Sequence, residues 1–103
     1  MTDKKGKNHY RHIAFFKLYD QVNDEKLQQA RLQLQRLGEG NDTILEWDIE
    51  LSLDTRKGKI IVENALFENK EAFQNFRQST KHLEAVAFMK EIADWWVGDY
   101  LEI

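Results

Sequence analysis

Two short segments of this 103-residue chain are apolar at both odd and even positions. They are HIAFFKLYD (12–20) and KIIVENALFE (59–68), and their β-branched and aromatic residues favour β-strands. In the first segment, His12 and Phe16 point to one face, and Phe15 points to the other. A strand with two apolar faces needs cover on both of them. This need restricts the fold more than any other feature of the sequence.

The other segments alternate between strand and helix patterns. The most regular strand is TILEWDIELSLD (43–54), in which every second residue is apolar. These apolar residues are Leu45, Trp47, Ile49, Leu51 and Leu53. A hairpin with Gly58 at a positive φ joins this strand to the one at 59–68. Three helices follow good N-cap residues: the first runs from Asn23 to Gly38, the second is 69–78 with Asn69 as its cap, and the third starts at about Thr80 with Ser79 or Thr80 as its cap. A last strand is predicted at 95–103.

The predicted order, β-α-β-β-α-(α)-β, indicates an α+β protein with a ferredoxin-like split βαβ arrangement: a four-stranded antiparallel sheet with helices on one face. In this arrangement strands one and three lie in the middle. Because the helices cover one side only, a set of large side chains would face water in a monomer: Ile13, Phe15, Ile61 and Phe67, or their counterparts. Burial of each such side chain contributes about 1.5–3 kcal/mol. We therefore predict a two-fold homodimer in which the second sheet face is buried against its mate.

Charge and composition restrict the partners and the cellular location that we expect for this chain. Residues 1–11 are basic, with Lys4, Lys5 and Lys7, and we predict a partly disordered leader there, before a single domain at 12–103. The net charge is -3 and the rest of the chain is acidic, so nucleic-acid binding is not expected. Cysteine is absent, and no apolar run reaches about 18 residues. We expect a cytoplasmic protein without a membrane partner.

The segment STKHLEAVAFMK (79–90) has a histidine where a leucine would be the ordinary choice. At about 100° per residue, His82 falls on the apolar stripe of a helix. The other members of this stripe are Ala85, Val86, Met89, Ile92, Ala93 and Trp96. His12 lies in register with Phe16 on the interior face of strand one. A neutral imidazole can accept or give a proton near pH 7, so both histidines are candidate proton carriers. The alternative is that both are structural residues satisfied by a backbone group or water.

HIAFFKLYD at the start of the chain and KHLEAVAFMKEIADWWVGDY at its end together resemble the stress-responsive A/B barrel domain family. Its members open with a His–Ile/Leu–hydrophobic–Phe–Lys strand. They close with a histidine-headed helix that runs into a strand ending in Asp–Tyr. The resemblance covers nearly the whole chain from His12 onward. It implies a ferredoxin-like protomer, a dimer whose two sheets form an α/β barrel, and a small cavity between helices and sheet.

The resemblance also bears on activity. The family includes plant polyketide cyclases, in which the helix-head histidine is a general base assisted by a tyrosine six residues earlier. Here the histidine corresponds to His82 and the tyrosine to Phe76, which cannot donate a proton. Ser79 and Thr80 stand where the family commonly has His–Pro. Related dimeric families with this fold include cofactor-free monooxygenases, so the fold alone does not define the reaction.

We predict that a small, partly hydrophobic molecule, such as an aromatic or keto compound, binds in this cavity. The predicted lining residues are His12, Phe16, Trp47, Phe76, His82, Val86 and Trp96. If the protein is an enzyme, it needs no cofactor: His82 carries the proton, with His12 as partner, in an enolisation, a cyclisation or the activation of a carbanion toward oxygen. No metal site is expected, because the acidic row Glu46, Asp48 and Glu50 spaces its carboxylates by about 7 Å. The alternative is a non-catalytic dimeric domain that acts through protein contacts.

Overall fold

The computed structural model describes residues 8–103 and contains, within them, four strands and three helices. In chain order these are β1 (His9–Leu18), α1 (Asp24–Leu37), β2 (Ile44–Leu51), β3 (Ile60–Phe67), α2 (Lys70–Arg77), α3 (Thr80–Lys90) and β4 (Ala93–Glu102). The strands form one antiparallel sheet in the order β2-β3-β1-β4, so β1 and β3 lie in its centre. The predicted α+β, ferredoxin-like fold is confirmed. None of the described helices is long and apolar enough to cross a membrane.

Each helix begins after a polar residue whose side chain accepts a hydrogen bond from the first turn. Asn23 caps α1, Asn69 caps α2 and Ser79 caps α3, each by accepting the backbone N–H three residues further on. These caps satisfy amide groups that a helix leaves unpaired at its N-terminus. The helix starts predicted from the sequence are confirmed.

Two glycines are needed where they stand, for different reasons. Gly58 has a φ of 108°, which residues with a Cβ rarely adopt, and it turns the chain between β2 and β3. Gly38 ends α1 with a φ of -84°, which any residue can adopt. At Gly38 the indole of Trp47 occupies the space that a Cβ would need. This close approach lets the Trp47 indole N–H donate a hydrogen bond to the carbonyl of Leu34 over 3.1 Å.

The face of the sheet that the helices cover holds the core. β1 contributes alternate residues to it, as the period of two requires, and Phe16 is 7% exposed. The buried residues of α1 are the predicted stripe Leu27, Ala30, Leu34 and Leu37. From α2 and α3 the core takes Ala72, Phe73, Phe76, Ala85 and Met89. We call this side of the sheet the covered face.

Two predictions about β2 are wrong. Leu45 is 46% exposed because an irregularity in the ladder between Ile44 and Glu46 turns Ile44 toward the core instead. Leu53 is fully exposed because β2 ends at Leu51. The alternation in the sequence therefore describes the middle of the strand and not its ends.

The opposite side of the sheet has no helix over it within the described residues, and its centre is apolar. We define this open face by Ile13, Phe15, Ile60, Val62 and Trp96. Phe15 packs against Trp96, with ring centroids 5.9 Å apart. Ile61 and Phe67 were predicted for this side, but both have 0% exposure under the helices. Their counterparts Ile60 and Val62 take that place, because neighbouring strand residues point to opposite faces.

β1 begins at His9 rather than at His12, so the predicted leader 1–11 is too long. Residues 1–7 of that leader lie outside the described part of the chain. Arg11 belongs to the sheet: its guanidinium donates hydrogen bonds to Glu102 (2.8 Å), Glu46 (3.0 Å) and Asn64 (2.9 Å). Arg11 therefore ties β1 to all three other strands.

Candidate functional site

A cavity of about 320 Å³ lies between the covered face and the helices. Its walls are mainly apolar and include Ala14, Phe16, Val86, Met89 and Trp95. Its polar lining consists of His12, Glu63, Arg77, His82 and Asp99. Ligand pockets have volumes of about 300–1,000 Å³ and combine apolar walls with a few placed polar groups. The cavity therefore has the size and the lining of a small-molecule site.

His12 lies in this cavity with a carboxylate on each side of its ring. Its Nδ1 is 2.8 Å from Oδ1 of Asp99, and its Nε2 is 3.2 Å from Oε2 of Glu63. Strand register produces this arrangement. Asp99 is the direct partner of His12 between β1 and β4, and Glu63 is the partner of Ala14, the next residue on the same face of β1.

The two carboxylates determine the protonation state of His12. An imidazolium ring, which is protonated at both nitrogens, can donate to both carboxylates at once, and a neutral ring cannot. Burial by itself lowers the pKa of His12, but the hydrogen bonds and negative charges of Glu63 and Asp99 outweigh it and raise that pKa above the ordinary 6.5. The raised pKa favours the cationic form of the buried His12 ring over the neutral base that its position on an apolar strand suggests.

Tyr10 extends this arrangement toward the surface. Its hydroxyl donates a hydrogen bond to Oδ2 of Asp99 over 2.7 Å, and its ring stacks on Phe73 with centroids 4.4 Å apart. Burial, followed by the hydrogen bond and the charge of Asp99, raises the pKa of Tyr10 to about 12. Both oxygens of Asp99 are therefore engaged. We call Tyr10, Asp99, His12 and Glu63 the acid–histidine network.

His82 lies in the first turn of α3, where the Ser79 hydroxyl accepts its backbone N–H over 3.2 Å. Its ring meets Phe76 edge-on, with centroids 5.0 Å apart. The ring atom Nδ1 is buried and has no hydrogen-bond partner among the described residues. Burial lowers the pKa of His82, and the negative charge of Glu63 and the nearby backbone carbonyl of Arg77 oppose this effect without overcoming it. His82 is therefore neutral near pH 7.

The predicted lining residues fall into two groups. His12, Phe16, His82 and Val86 line the cavity. Phe76 and Trp47 lie one layer behind it: Phe76 packs against the His82 ring, and Trp47 packs edge-on against Phe76, with centroids 5.6 Å apart. Trp47 is also tied to α1 through its hydrogen bond to the Leu34 carbonyl, so these two residues support the His82 ring from behind the wall and do not form the wall.

The prediction for Trp96 is corrected. It came from a helical stripe continued from His82, but α3 ends at Lys90 and β4 begins at Ala93. From that point the period of two decides which way each residue points. Trp95 faces the cavity, whereas Trp96 lies on the open face and is 48% exposed.

Sequence reasoning missed three polar residues of the cavity: Glu63, Asp99 and Arg77. Glu63 has the same strand parity as Ile61, Ala65 and Phe67, and it is 3% exposed on the covered face. The signal that could have identified it is a single acidic residue among alternate strand residues that face the core. Asp99 gives a weaker signal, because β4 is an edge strand with several exposed residues. Arg77 gives none, since the last turn of a helix commonly carries a cation.

The acidic and imidazole groups of the cavity do not form a metal site. No group of three or more His, Asp or Glu side chains within residues 8–103 has an arrangement that could hold an ion. His12 could not contribute a ligand in its observed state, because carboxylates engage both of its nitrogens.

Similar solved structures share this architecture. A hydroxynitrile lyase from Passiflora edulis is 20% identical, with a TM-score of 0.82 over 94% of this chain and 95% of that one. A dimeric protein of unknown function with a ferredoxin-like fold from Bacteroides fragilis is also 20% identical, with a TM-score of 0.75 over 92% and 96%. A cofactor-independent oxygenase from Streptomyces nogalater is 10% identical, with a TM-score of 0.73 over 90% and 91%. At these identities the likeness establishes the fold alone.

No curated protein matches the sequence. The sequence does match the family model described as the Stress Responsive A/B Barrel Domain, over residues 10–101. This match starts inside β1 and ends inside β4, so it spans all or nearly all of every element of the fold and every polar residue of the cavity. The chain belongs to the stress-responsive A/B barrel domain family.

Proposed function

We propose that this protein is a homodimer that binds a small, partly hydrophobic molecule in the cavity and transfers a proton to or from it through His82. One observation carries the proposal. The cavity holds two histidines in opposite states: His12 is a cation fixed by two carboxylates, and His82, which lines the cavity, is neutral. A neutral imidazole beside an apolar cavity is suited to act as a general base.

His12 has a different role in this proposal from the one that the sequence suggested. Because Glu63 and Asp99 accept from both ring nitrogens, His12 is not available to take a proton from a ligand. Its charge neutralises carboxylates that would otherwise raise the pKa of His82 further. Glu63 already acts on His82 in that direction. We therefore assign His12 as a positioning residue that keeps His82 neutral.

The reaction class that fits is the removal of a proton from a carbon or hydroxyl group, without a cofactor. His82 would accept the proton, and the ligand's body would lie among Phe16, Val86 and Trp95. Two similar structures are a hydroxynitrile lyase and a cofactor-independent oxygenase, and the proposed proton transfer is compatible with both kinds of enzyme. A positioned base of this type contributes about 10²–10⁴-fold to a rate.

The homodimer is proposed from the open face. Ile13, Phe15, Ile60 and Val62 form an apolar centre on the side that no described helix covers. Burial of each of these side chains contributes about 1.5–3 kcal/mol, which favours association before its entropic costs. A second copy of this chain is the occupant that matches, because the Bacteroides fragilis protein with this fold is dimeric. A two-fold axis would pack the same apolar centre of both copies together.

The catalytic part of the proposal is tested by α-proton exchange. Propiophenone in D₂O is followed by ¹H NMR with wild type, His82→Gln and His9→Gln, the last being a control on a histidine that binds the Glu68 carbonyl. We expect wild type to accelerate loss of the α-CH₂ signal, His9→Gln to match it, and His82→Gln to lose about 10²-fold or more. Equal rates for wild type and His82→Gln would contradict the assignment.

The dimer is tested by sedimentation at micromolar concentration. Wild type is expected to have twice the mass of the 12.3 kDa chain. Phe15→Lys places a charge in the centre of the open face and should give a monomer. Leu32→Lys, at a 45% exposed position of α1, is the matched control and should stay dimeric. A monomeric wild type would remove the dimer from the proposal.

The alternative function, a non-catalytic dimeric domain, has one observation in its favour. The acid–histidine network is internally satisfied, as structural networks are. In that case the His82 ring would serve only to pack against Phe76. His82→Leu would then fold with unchanged dimerisation, and neither ketone exchange nor ligand binding would depend on the imidazole.

A further inference from the structure

Arg77 is a cation at the cavity that no described residue neutralises. It is the last residue of α2, its side chain is exposed, and it lines the cavity together with His82. Within residues 8–103 its guanidinium has neither a hydrogen bond nor an ion pair, whereas Arg11 of the same chain has three acceptors. Its charge reaches the cavity's titratable groups, since it adds a little to the lowering of the His82 pKa and opposes the rise of the Tyr10 pKa.

The other charged groups of the cavity are already engaged with one another. Asp99 gives one oxygen to His12 and the other to the Tyr10 hydroxyl, and Glu63 accepts from the second nitrogen of His12. His12 therefore has no N–H left for a ligand. Phe76, beside the His82 ring, has no donor at all. Among the described residues that line the cavity, Arg77 is the cationic donor that remains available.

We propose that Arg77 binds the anionic oxygens of the ligand, and that the ligand is a small carboxylate with an aromatic or branched apolar body. This inference rests on the proposed function, because it names the ligand class of the same cavity. The planar guanidinium matches a carboxylate with two parallel hydrogen bonds, which a point charge does not provide. The apolar body then lies between Phe16 and Val86, with its acidic proton toward His82.

The same placement gives Arg77 a role in the reaction. When His82 removes a proton next to a carbonyl or carboxyl group, negative charge develops on the ligand's oxygen. A guanidinium that already binds this end of the ligand stabilises the developing charge. The proton ends on His82 and the negative charge faces Arg77, so the step balances without a further reactant.

The test compares two probes of nearly the same shape, phenylacetate and phenylacetamide, of which only the first is an anion at pH 7.5. Binding is measured by ¹H–¹⁵N NMR titration with wild type, Arg77→Gln, Arg77→Lys and Arg36→Gln. Arg36 is the matched control, because it is also a cation in the last turn of a helix, α1, and does not line the cavity. Its substitution removes the same charge and the same helix-end interaction.

Wild type and Arg36→Gln are expected to prefer phenylacetate. Arg77→Gln should weaken phenylacetate binding by about 10- to 100-fold and leave phenylacetamide binding unchanged, and Arg77→Lys should recover part of the loss. If both probes bind near His82 with equal affinity in wild type and in Arg77→Gln, the assignment of Arg77 is overturned while the cavity remains a ligand site. If neither probe shifts any signal near His82 at millimolar concentration, both the ligand class and the proposed function are overturned.

Discussion

The two histidines of the cavity differ in their secondary structure, depth of burial, hydrogen-bond partners and direction of pKa shift. His12 lies on the central strand β1, 7% exposed, between two carboxylates, whereas His82 lies in the first turn of α3, less deeply buried, with an unpartnered Nδ1 among the described residues. Burial lowers the pKa of both. The partners then decide the outcome: the pKa of His12 ends above 6.5 and that of His82 below it. Depth alone does not predict the charge of a buried histidine, but its neighbours do.

The largest expected effect is a loss of stability when His12 is replaced. His12→Leu leaves Glu63 as a buried charge without its partner, so we expect a loss of about 3–5 kcal/mol in the free energy of unfolding, measured in urea at pH 7. The double variant His12→Leu/Glu63→Leu removes the orphaned charge and should recover most of the loss. If the double variant were as unstable as the single one, the ion pair would not be the reason for the loss.

A second effect is expected at Tyr10, where the acid–histidine network ends. In Asp99→Asn the pKa of Tyr10 should fall from about 12 toward 10, because the charge and the carboxylate acceptor of Asp99 are both removed. It should stay somewhat above 10, since burial is the largest cause of the shift and remains. Titration of the tyrosine ¹³Cζ signals measures this. An unchanged Tyr10 pKa would show that Asp99 has no influence on it.

The two histidines should contribute to the pH dependence of stability with opposite signs. The folded state holds the His12 proton more tightly than the unfolded state, so its contribution is complete below 6.5 and is lost as pH rises through the folded pKa. The folded state holds the His82 proton less tightly, so stability is lost as pH falls from 6.5 through the folded pKa of His82. In urea unfolding between pH 5 and 9, the free energy of unfolding of His82→Gln should therefore increase relative to that of wild type as the pH falls. His12→Gln, destabilised throughout, should approach wild type toward alkaline pH. Parallel curves for all three proteins would contradict both assignments.

The smallest expected effect is the change in stability when His82 is replaced. His82→Leu removes a ring that has no hydrogen bond from its Nδ1 to the described residues and packs against Phe76. An apolar side chain suits that contact, so stability at pH 7 should change by no more than about 1 kcal/mol. A loss as large as that of His12→Leu would mean that His82 is a structural residue of the same kind.

Much of this fold follows from patterns within single elements. The caps at Asn23, Asn69 and Ser79, and the turn at Gly58, are local, and the sequence identifies each of them, with Thr80 as the alternative to Ser79. The interior position of His12 follows from strand alternation, because Phe16 shares its parity. Local patterns do not carry across an element boundary, and for this reason the helical stripe from His82 placed Trp96 in the cavity where Trp95 stands.

The chemistry of the site depends on contacts between distant parts of the chain. Asp99 meets His12 because β4 pairs with β1 in one register, and Glu63 reaches the same ring from β3. A shift by one residue in either ladder would turn the acid to the other side of the sheet. The sequence contains no pattern that specifies these registers, so the charge of His12 could not be predicted from it. The same is true of Arg77, whose relation to the cavity depends on how α2 packs.

The most direct measurement is the pH titration of the imidazole signals of His12 and His82 by ¹H–¹⁵N NMR, with His12→Gln and His82→Gln used for assignment. The account predicts that His12 loses its proton above pH 6.5 and His82 below it, with both nitrogens of His12 protonated at neutral pH. If His82 titrated above His12, or if His12 were a neutral ring at pH 7, the division of roles between the two histidines would be contradicted.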